Sequence, residues 1–221
     1  MDEKLVINMD EKLVINMDEK LVKEYKAMLP GTDTLESIVA KGQIRDVMIN
    51  ARLWLLGIKK DEFIKWKENP MKFVWKHNQT AYEKLVAVGY HPQLRELMGV
   101  IYIKRPYGYG GSCPNGFGSP EYVRFYVDWT NNGNFTDLWE DQGLGQVNVF
   151  DPGNGNVNNL PIEYAVRKGT IMPKKLLSML ESICAVRRVR AILSWTIPPP
   201  GQPNWKPFWG NVVETNIRFH R

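Results

Sequence analysis

The sequence predicts an α+β protein in which a helical N-terminal segment precedes an antiparallel β-sandwich of about seven strands with one inserted helix. The pattern of the 221-residue chain changes near residue 80, from apolar residues at helical spacing to short runs that alternate apolar and polar residues. Clusters of Gly, Pro and Asn separate these later runs, which is typical of strands joined by turns. We therefore divide the chain into residues 1–16, 17–79 and 80–221.

Residues 1–16 consist of two identical copies of MDEKLVIN, and a third copy of MDEKLV begins at Met17. Structural repeats have periods of about 20–50 residues and drift in sequence, whereas this repeat is short and identical. We interpret the leader as a recent tandem duplication or a cloning scar that stands outside the fold. The alternative is an extension that lengthens the following helix for self-association.

Residues 17–79 have the spacing of short helices. The third copy keeps apolar residues at helical intervals from Met17 until Pro30 ends the pattern. The stretch KKDEFIKWKENP predicts a further helix between Asp61 and Pro70. The run RLWLLGI would be apolar on every side of a helix, so it needs cover from another helix or another subunit. We favour a homo-oligomer, with a two-fold dimer as the default.

Residues 80–221 contain seven strand candidates, which read YEKLVAVGY, LMGVIYIKR, EYVRFYVDW, GQVNVFD, IEYAVRKG, VRAILSWTI and NVVETNIRF. The first two flank His91-Pro92 and predict a hairpin. The helix PKKLLSMLESICA interrupts the series, with Pro173 in its first turn. Its apolar residues are expected to share one face: Leu176, Leu177, Leu180, Ile183 and Cys184. An immunoglobulin-like or a jelly-roll-like sandwich fits this series.

The composition narrows the function classes. A net charge of +5 is too small for a nucleic-acid footprint, so no nucleic-acid partner is expected. No apolar run approaches the ~18 residues that span a bilayer, and the acidic start is not a signal peptide, so we expect a cytoplasmic protein without a membrane partner. Two cysteines, Cys113 and Cys184, do not make a disulfide framework. The scattered His77, His91 and His220 do not predict a zinc site.

The stretch DWTNNGNFTDLWED is the most specific local signal. Five residues fall at or near ligand positions of an EF-hand-like loop: Asp128, Thr130, Asn132, Thr136 and Glu140. The stretch is similar to the Asp-Trp-Asn-x-Asp-Gly-Asp-Phe-Thr-Asp loops that decorate extracellular bacterial β-sandwich modules. Two of the usual aspartates are Asn here and Glu140 comes one residue late, so the resemblance implies at most weak calcium binding. The alternative is an Asn-Gly turn after a strand.

Aromatic residues in loops give a second candidate site. Exposed rings on a sandwich stack on sugars or anchor protein partners, and the proline-rich stretch WTIPPPGQPNWKPFWGN would hold its rings in place. The expected contact residues are Trp139, Trp205, Phe208 and Trp209. The alternative is that the last three fold back and cover one end of the core.

Two function classes remain. We favour a non-catalytic binding or assembly module that contacts a protein partner or a second copy of itself, with a carbohydrate-binding module and a weak calcium loop as an alternative. The other class is a hydrolase-like enzyme, since paired carboxylates can run such reactions. Its candidate acids are Asp128, Asp137, Glu140, Asp141 and Asp151. No catalytic residue is assigned, because RPYGYGGSCPNGFGSP lacks the Lys-Ser/Thr of a phosphate loop and Cys113 has no obvious base nearby.

Overall fold

The chain divides into two compact units, residues 1–58 and 59–221. The structure, a computed structural model, describes residues 49, 52–53, 59–68, 79–111, 113, 116–152 and 160–220. In the first unit Ile49, Arg52 and Leu53 are helical and buried. The repeated leader, and the predicted helices before residue 49, lie outside the described residues.

The second unit is mostly antiparallel β-sheet. Its elements are α1 (Lys60–Glu68), β1 (Glu83–His91), β2 (Glu96–Ile103), β3 (Ser119–Val127), β4 (Asp141–Val149), β5 (Ile162–Gly169), α2 (Lys174–Ser182), β6 (Val186–Trp195) and β7 (Val212–Arg218). All seven predicted strands and the inserted helix are confirmed, with bounds that differ by a few residues. Within the described part of the chain, no helix has the length and apolar content needed to cross a membrane.

The strands form two sheets. The smaller sheet has the order β1-β2-β5 and the larger has the order β4-β3-β6-β7, with every neighbouring pair antiparallel. The predicted β1–β2 hairpin is present. The pairings of β2 with β5 and of β3 with β6 join segments far apart in the chain.

The faces of the two sheets share an apolar core. At Gly99 of β2 a Cβ atom would lie 3.0 Å from Leu85 Cδ1 and 3.4 Å from Phe125 Cζ, so glycine lets the Phe125 ring of β3 approach the smaller sheet. The Asn211 side chain also links the sheets. Its Oδ1 accepts the Leu85 backbone N–H (2.8 Å), and its Nδ2 donates to the Leu85 carbonyl (3.0 Å). Together these contacts hold β1 and β2 against the larger sheet.

Helix α2 turns a different face inward than its apolar pattern predicted. The buried residues of the helix are Leu177, Leu180 and Glu181. Three members of the predicted apolar face are exposed: Leu176, Ile183 and Cys184. The helix ends at Ser182 and Cys184 is left-handed (φ 50°), so the last two predicted positions lie beyond the helix. As a result α2 carries an apolar flank on its exposed side.

Candidate functional site

Residues 128–140 connect β3 to β4, and we call them the 128–140 loop. Two carboxylates of this loop accept hydrogen bonds from its own backbone N–H groups. The carboxylate of Asp128, which is buried, accepts the backbone N–H groups of Asn132 (3.0 Å) and Gly133 (2.9 Å). The intervening Asn131 is left-handed, with φ 60°. Two charge-assisted hydrogen bonds therefore fix the tight turn at the start of the loop.

A second buried carboxylate closes the other end of this loop. Glu140 Oε2 accepts the Asp137 backbone N–H (3.0 Å), and Glu140 Oε1 lies 3.2 Å from the Thr130 hydroxyl. The Asp137 carboxylate in turn contacts the Thr130 hydroxyl (2.8 Å) and accepts from Asn132 Nδ2 (2.6 Å). Both ends of the loop are thus joined through side chains.

This geometry does not bring the predicted calcium ligands to one point. The oxygens of Asp128 and Glu140 accept N–H groups of the loop itself, and Asn132 turns its amide N–H toward Asp137. Thr136 is exposed. Among the residues that the structure describes, no group of three or more His, Cys, Asp or Glu side chains is placed to hold a metal ion. The Asp128 carboxylate instead closes a local turn on the backbone N–H groups of Asn132 and Gly133.

Two buried aromatic rings anchor the 128–140 loop to the larger sheet. Phe135 packs against the guanidinium groups of Arg188 and Arg190, each 4.9 Å from the ring centroid. Trp129 packs on Phe219, which follows β7, with ring centroids 4.8 Å apart, and its indole Nε1 donates to the Trp139 carbonyl (3.0 Å). With these two rings turned inward, the remaining apolar residues of the loop have no place in the core.

Trp139 and its neighbour Leu138 are those remaining residues. Trp139 has a φ of 64°, a conformation that is uncommon for a bulky side chain. Its carbonyl accepts hydrogen bonds from Trp129 Nε1 and from the Gln142 side-chain amide, which hold the backbone there. Trp139 is 37% exposed and Leu138 is 70% exposed. The loop therefore presents two large apolar side chains outward, and strain of this kind is concentrated at functional sites.

These side chains line an open groove of about 470 Å³ between the loop and α2. Seven of its nine lining residues are apolar: Trp129, Leu138, Trp139, Met172, Leu176, Met179 and Leu180. The other two are Thr130 and Asp137. Leu176 and Met179 of α2 are 36% and 59% exposed, so apolar surface on both sides of the groove faces outward. We call this feature the apolar groove.

An ion pair sets the rotation of α2 that leaves this flank exposed. Glu181 is buried and accepts hydrogen bonds from Arg95 (Nη2–Oε2 2.6 Å) and from the Tyr90 hydroxyl (2.8 Å). Arg95 also donates to Ser178 Oγ (2.9 Å). Because these bonds turn the Glu181 side of the helix toward the β1–β2 hairpin, Met179 remains on the outer side.

Trp205, Phe208 and Trp209 are buried, at 2%, 1% and 1% exposure, which corrects the expectation that they form a contact surface. Phe208 and Trp209 pack on each other with centroids 4.5 Å apart, and Phe63 of α1 lies 4.9 Å from Phe208. The rings cover one end of the core, as the alternative held. Of the four predicted contact residues, Trp139 is exposed and lines the apolar groove.

The five predicted catalytic carboxylates do not form one site: Asp137 and Glu140 both contact the Thr130 hydroxyl, and the other three have different partners. Asp141 is paired with Arg124 (Nε–Oδ1 2.9 Å), and Asp151 accepts the backbone N–H groups of Tyr109 and Gly111, both at 2.8 Å. Asp128 and Glu140 close the turn described above. Of the five predicted acids, all of which the structure describes, Asp137 is the one that lines the apolar groove.

Six groove residues escaped the sequence-based prediction: Trp129, Leu138, Met172, Leu176, Met179 and Leu180, of which Leu176 and Leu180 were assigned to a buried face. The stretch PKKLLSMLES contained a signal for the groove residues of the helix. Its apolar residues at 176, 177, 179 and 180 form a stripe that is wider than the face a helix needs to bury. Part of such a stripe must stay outside the core.

Comparison with known proteins identifies no family, since neither a protein-family model nor a curated protein sequence matches the chain. The geometry of the apolar groove therefore provides the basis for a functional conclusion.

Proposed function

We propose that this chain is a non-catalytic binding module whose contact surface is the apolar groove, and that the groove takes an apolar helical segment of a protein. One observation carries this proposal: four large side chains, 36% to 70% exposed, converge on a groove of about 470 Å³. They are Leu138, Trp139, Leu176 and Met179. Soluble proteins rarely leave such side chains clustered on their surface unless the patch binds a partner.

The chemistry of the lining favours a protein segment over a carbohydrate. A sugar site combines a flat ring with several polar groups that are free to bond hydroxyls. Here only two of the nine lining residues are polar, Thr130 and Asp137. Met172 and Met179 supply flexible, polarizable surface, which adapts to the side chains of a helix.

The scaffold in this proposal is a β-sandwich, and its strand order supports the immunoglobulin-like alternative. In the seven-strand immunoglobulin arrangement the first, second and fifth strands share one sheet, and the third, sixth and seventh share the other. These six strands are divided in the same way here, whereas β4, which would join the first sheet in that arrangement, lies at the edge of the other sheet beside β3. This order places the β3–β4 loop and the β5–β6 connection, which contains α2, on the two sides of the apolar groove.

The dye ANS, whose fluorescence rises on apolar surface, tests the proposal at low protein concentration. We expect saturable binding to the folded wild-type chain, and loss of that binding in Leu138→Asp/Met179→Glu with an unchanged melting temperature. Leu94→Asp is the matched control, because Leu94 is an exposed leucine outside the groove lining.

Equal dye binding by the wild type and the double variant would contradict the proposal. So would quenching of Trp139 by xylan or cellulose oligosaccharides with no response to ANS, which would favour a carbohydrate-binding module instead.

A further inference from the structure

We infer that the occupant of the apolar groove face is a second copy of this chain, with the two α2 helices packed antiparallel across a two-fold axis. The inference rests on the proposed function, because the same surface does the binding. It goes further by naming the partner and the orientation.

The first support is an exposed apolar stripe along α2. Leu176 and Met179 of α2 are spaced i and i+3, Ile183 continues this side as the C-cap residue directly after the helix, and the three are 36%, 59% and 69% exposed. Residues at this spacing lie along one side of a helix. In a two-fold interface each copy supplies the surface that the other needs, so one apolar stripe per chain is sufficient.

The second support is the charge pattern of α2. The helix begins with Lys174 and Lys175, it has no acid in its first turn, and it has no base in its last turn. The N-terminal end of a helix carries partial positive charge, so lysines there are unfavourable within one chain. An antiparallel pair places the lysines of each copy beside the C-terminal carbonyl groups of the other, where positive charge is favourable.

The other charges near this face agree with that orientation. Glu181 is buried in its ion pair with Arg95 and is not available to the lysines of its own chain. Asp137 adds a carboxylate to the groove lining on the loop side. The face therefore carries two lysines at one end of α2 and a carboxylate on the loop. A second copy of the same face can place its negative charge beside the lysines and its lysines beside the carboxylate.

The apolar groove face is small, so we expect the two copies to associate weakly. A standard interface uses about 20–30 residues from each partner, whereas nine residues line the groove and Ile183 extends the stripe. We therefore expect a weak dimer, with a dissociation constant in the range of about 10 to about 100 µM.

Sedimentation equilibrium of the full chain between about 1 and about 500 µM measures this association. We expect Met179→Glu to raise the dissociation constant at least about tenfold, and Lys174→Glu/Lys175→Glu to raise it at low salt. Leu94→Glu, outside the groove lining, should leave it unchanged. A wild-type dimer that these groove-face variants do not weaken would use another surface and would overturn the inference.

Cross-linking tests the orientation in a Cys113→Ser background, which leaves Cys184 as the single cysteine. In an antiparallel pair centred near Met179, residue 175 of one copy lies beside residue 184 of the other. Lys175→Cys should therefore give covalent dimers with diamide, whereas the background variant alone and Ala165→Cys should not. Efficient dimers through Cys184 alone would indicate parallel helices and overturn the inference.

The two proposals fail in different ways. A chain that stays monomeric throughout this range but binds ANS in the groove overturns the second-copy inference and leaves the proposed function standing. A chain that neither associates nor binds ANS overturns both.

Discussion

Two aromatic-rich loops of this molecule differ in whether all of their large apolar side chains reach the core. The 196–211 segment between β6 and β7 turns Trp205, Phe208 and Trp209 into the core, whereas the 128–140 loop leaves Trp139 and Leu138 outside. Both loops look alike in sequence, as aromatic residues among Pro, Gly and Asn. Their difference shows that the backbone partners of a loop, more than its composition, decide where its rings go.

The 196–211 segment follows β6 closely. The Trp195 N–H donates to the Trp209 carbonyl (3.3 Å), and the Leu193 N–H donates to the Asn211 carbonyl (2.9 Å). Gly210, which lies between these two bonds, has a φ of 117°. A Cβ atom at this position would collide with the Leu193 carbonyl oxygen, so only glycine fits. Because the chain is held against the sheet, the rings beside Gly210 point into the core.

The 128–140 loop bonds mainly to itself. Its turns are closed by Asp128 and Glu140, and its inward positions are taken by Trp129 and Phe135. Within the part of the chain that the structure describes, the Trp139 carbonyl accepts side-chain donors, from Trp129 and Gln142, instead of a strand backbone N–H, and the residue has a positive φ and lines the groove.

Truncation of a ring in each loop should have very different effects on stability. We expect Trp209→Ala to lower the free energy of unfolding by about 3–5 kcal/mol, because a buried indole leaves a cavity. Trp139→Ala should cost less than about 1 kcal/mol, since the residue is 37% exposed and lies outside the core. Urea unfolding followed by circular dichroism measures both. Comparable losses in the two variants would contradict the comparison.

Removal of a turn-closing carboxylate should have an intermediate effect. Asp128→Ala leaves the N–H groups of Asn132 and Gly133 without their acceptor, and we expect a loss of about 1–3 kcal/mol with weaker ANS binding. Thr136→Ala, at an exposed position of the same loop, is the control. Full stability of Asp128→Ala would show that the loop is held in another way.

Tyr126 contacts both loops and predicts a pH dependence. Its hydroxyl donates to the Pro200 carbonyl (3.1 Å), and the centroids of the Tyr126 and Phe135 rings are 6.3 Å apart. Burial, together with the nearby Asp141 charge, raises the pKa of the phenol above its ordinary value of 10.0. Above about pH 10 the unfolded chain releases this proton while the folded chain keeps it, so stability falls as pH rises.

Tyr126→Phe should remove this contribution, up to about 1.4 kcal/mol per pH unit. Urea unfolding of wild type and variant between about pH 9 and pH 11 gives the two slopes, with Tyr122→Phe on the same strand as control. Parallel slopes for wild type and Tyr126→Phe would rule out a role for this phenol in alkaline unfolding.

The smallest effect is expected from calcium. Because the loop oxygens already accept N–H groups, saturating calcium should not shift the melting temperature. A rise that disappears in Asp128→Ala would contradict this and restore the calcium-loop interpretation.

The strands were predictable because each is a short alternating or apolar run between turn residues, as in IEYAVRKG. Strand β4 begins at Asp141, four residues before the predicted GQVNVFD, because DQGL carries a buried Gln142 instead of an apolar residue. The sequence pattern did not contain the pairing of β2 with β5 or the inward turn at Gly210. Those features depend on contacts between distant segments, and so does the rotation of α2 by Arg95 and Glu181.

Hydroxyl-radical footprinting of the wild-type chain tests the docking role of the groove most directly, because it reports the accessibility of individual residues at two protein concentrations. At low concentration we expect rapid oxidation of Trp139 and Met179 and protection of Trp205 and Trp209. At the concentration where sedimentation shows association, Trp139 and Met179 should become protected too. Unchanged oxidation of Trp139 and Met179 in the associated protein, or oxidation of Trp209 as fast as Trp139, would contradict the account.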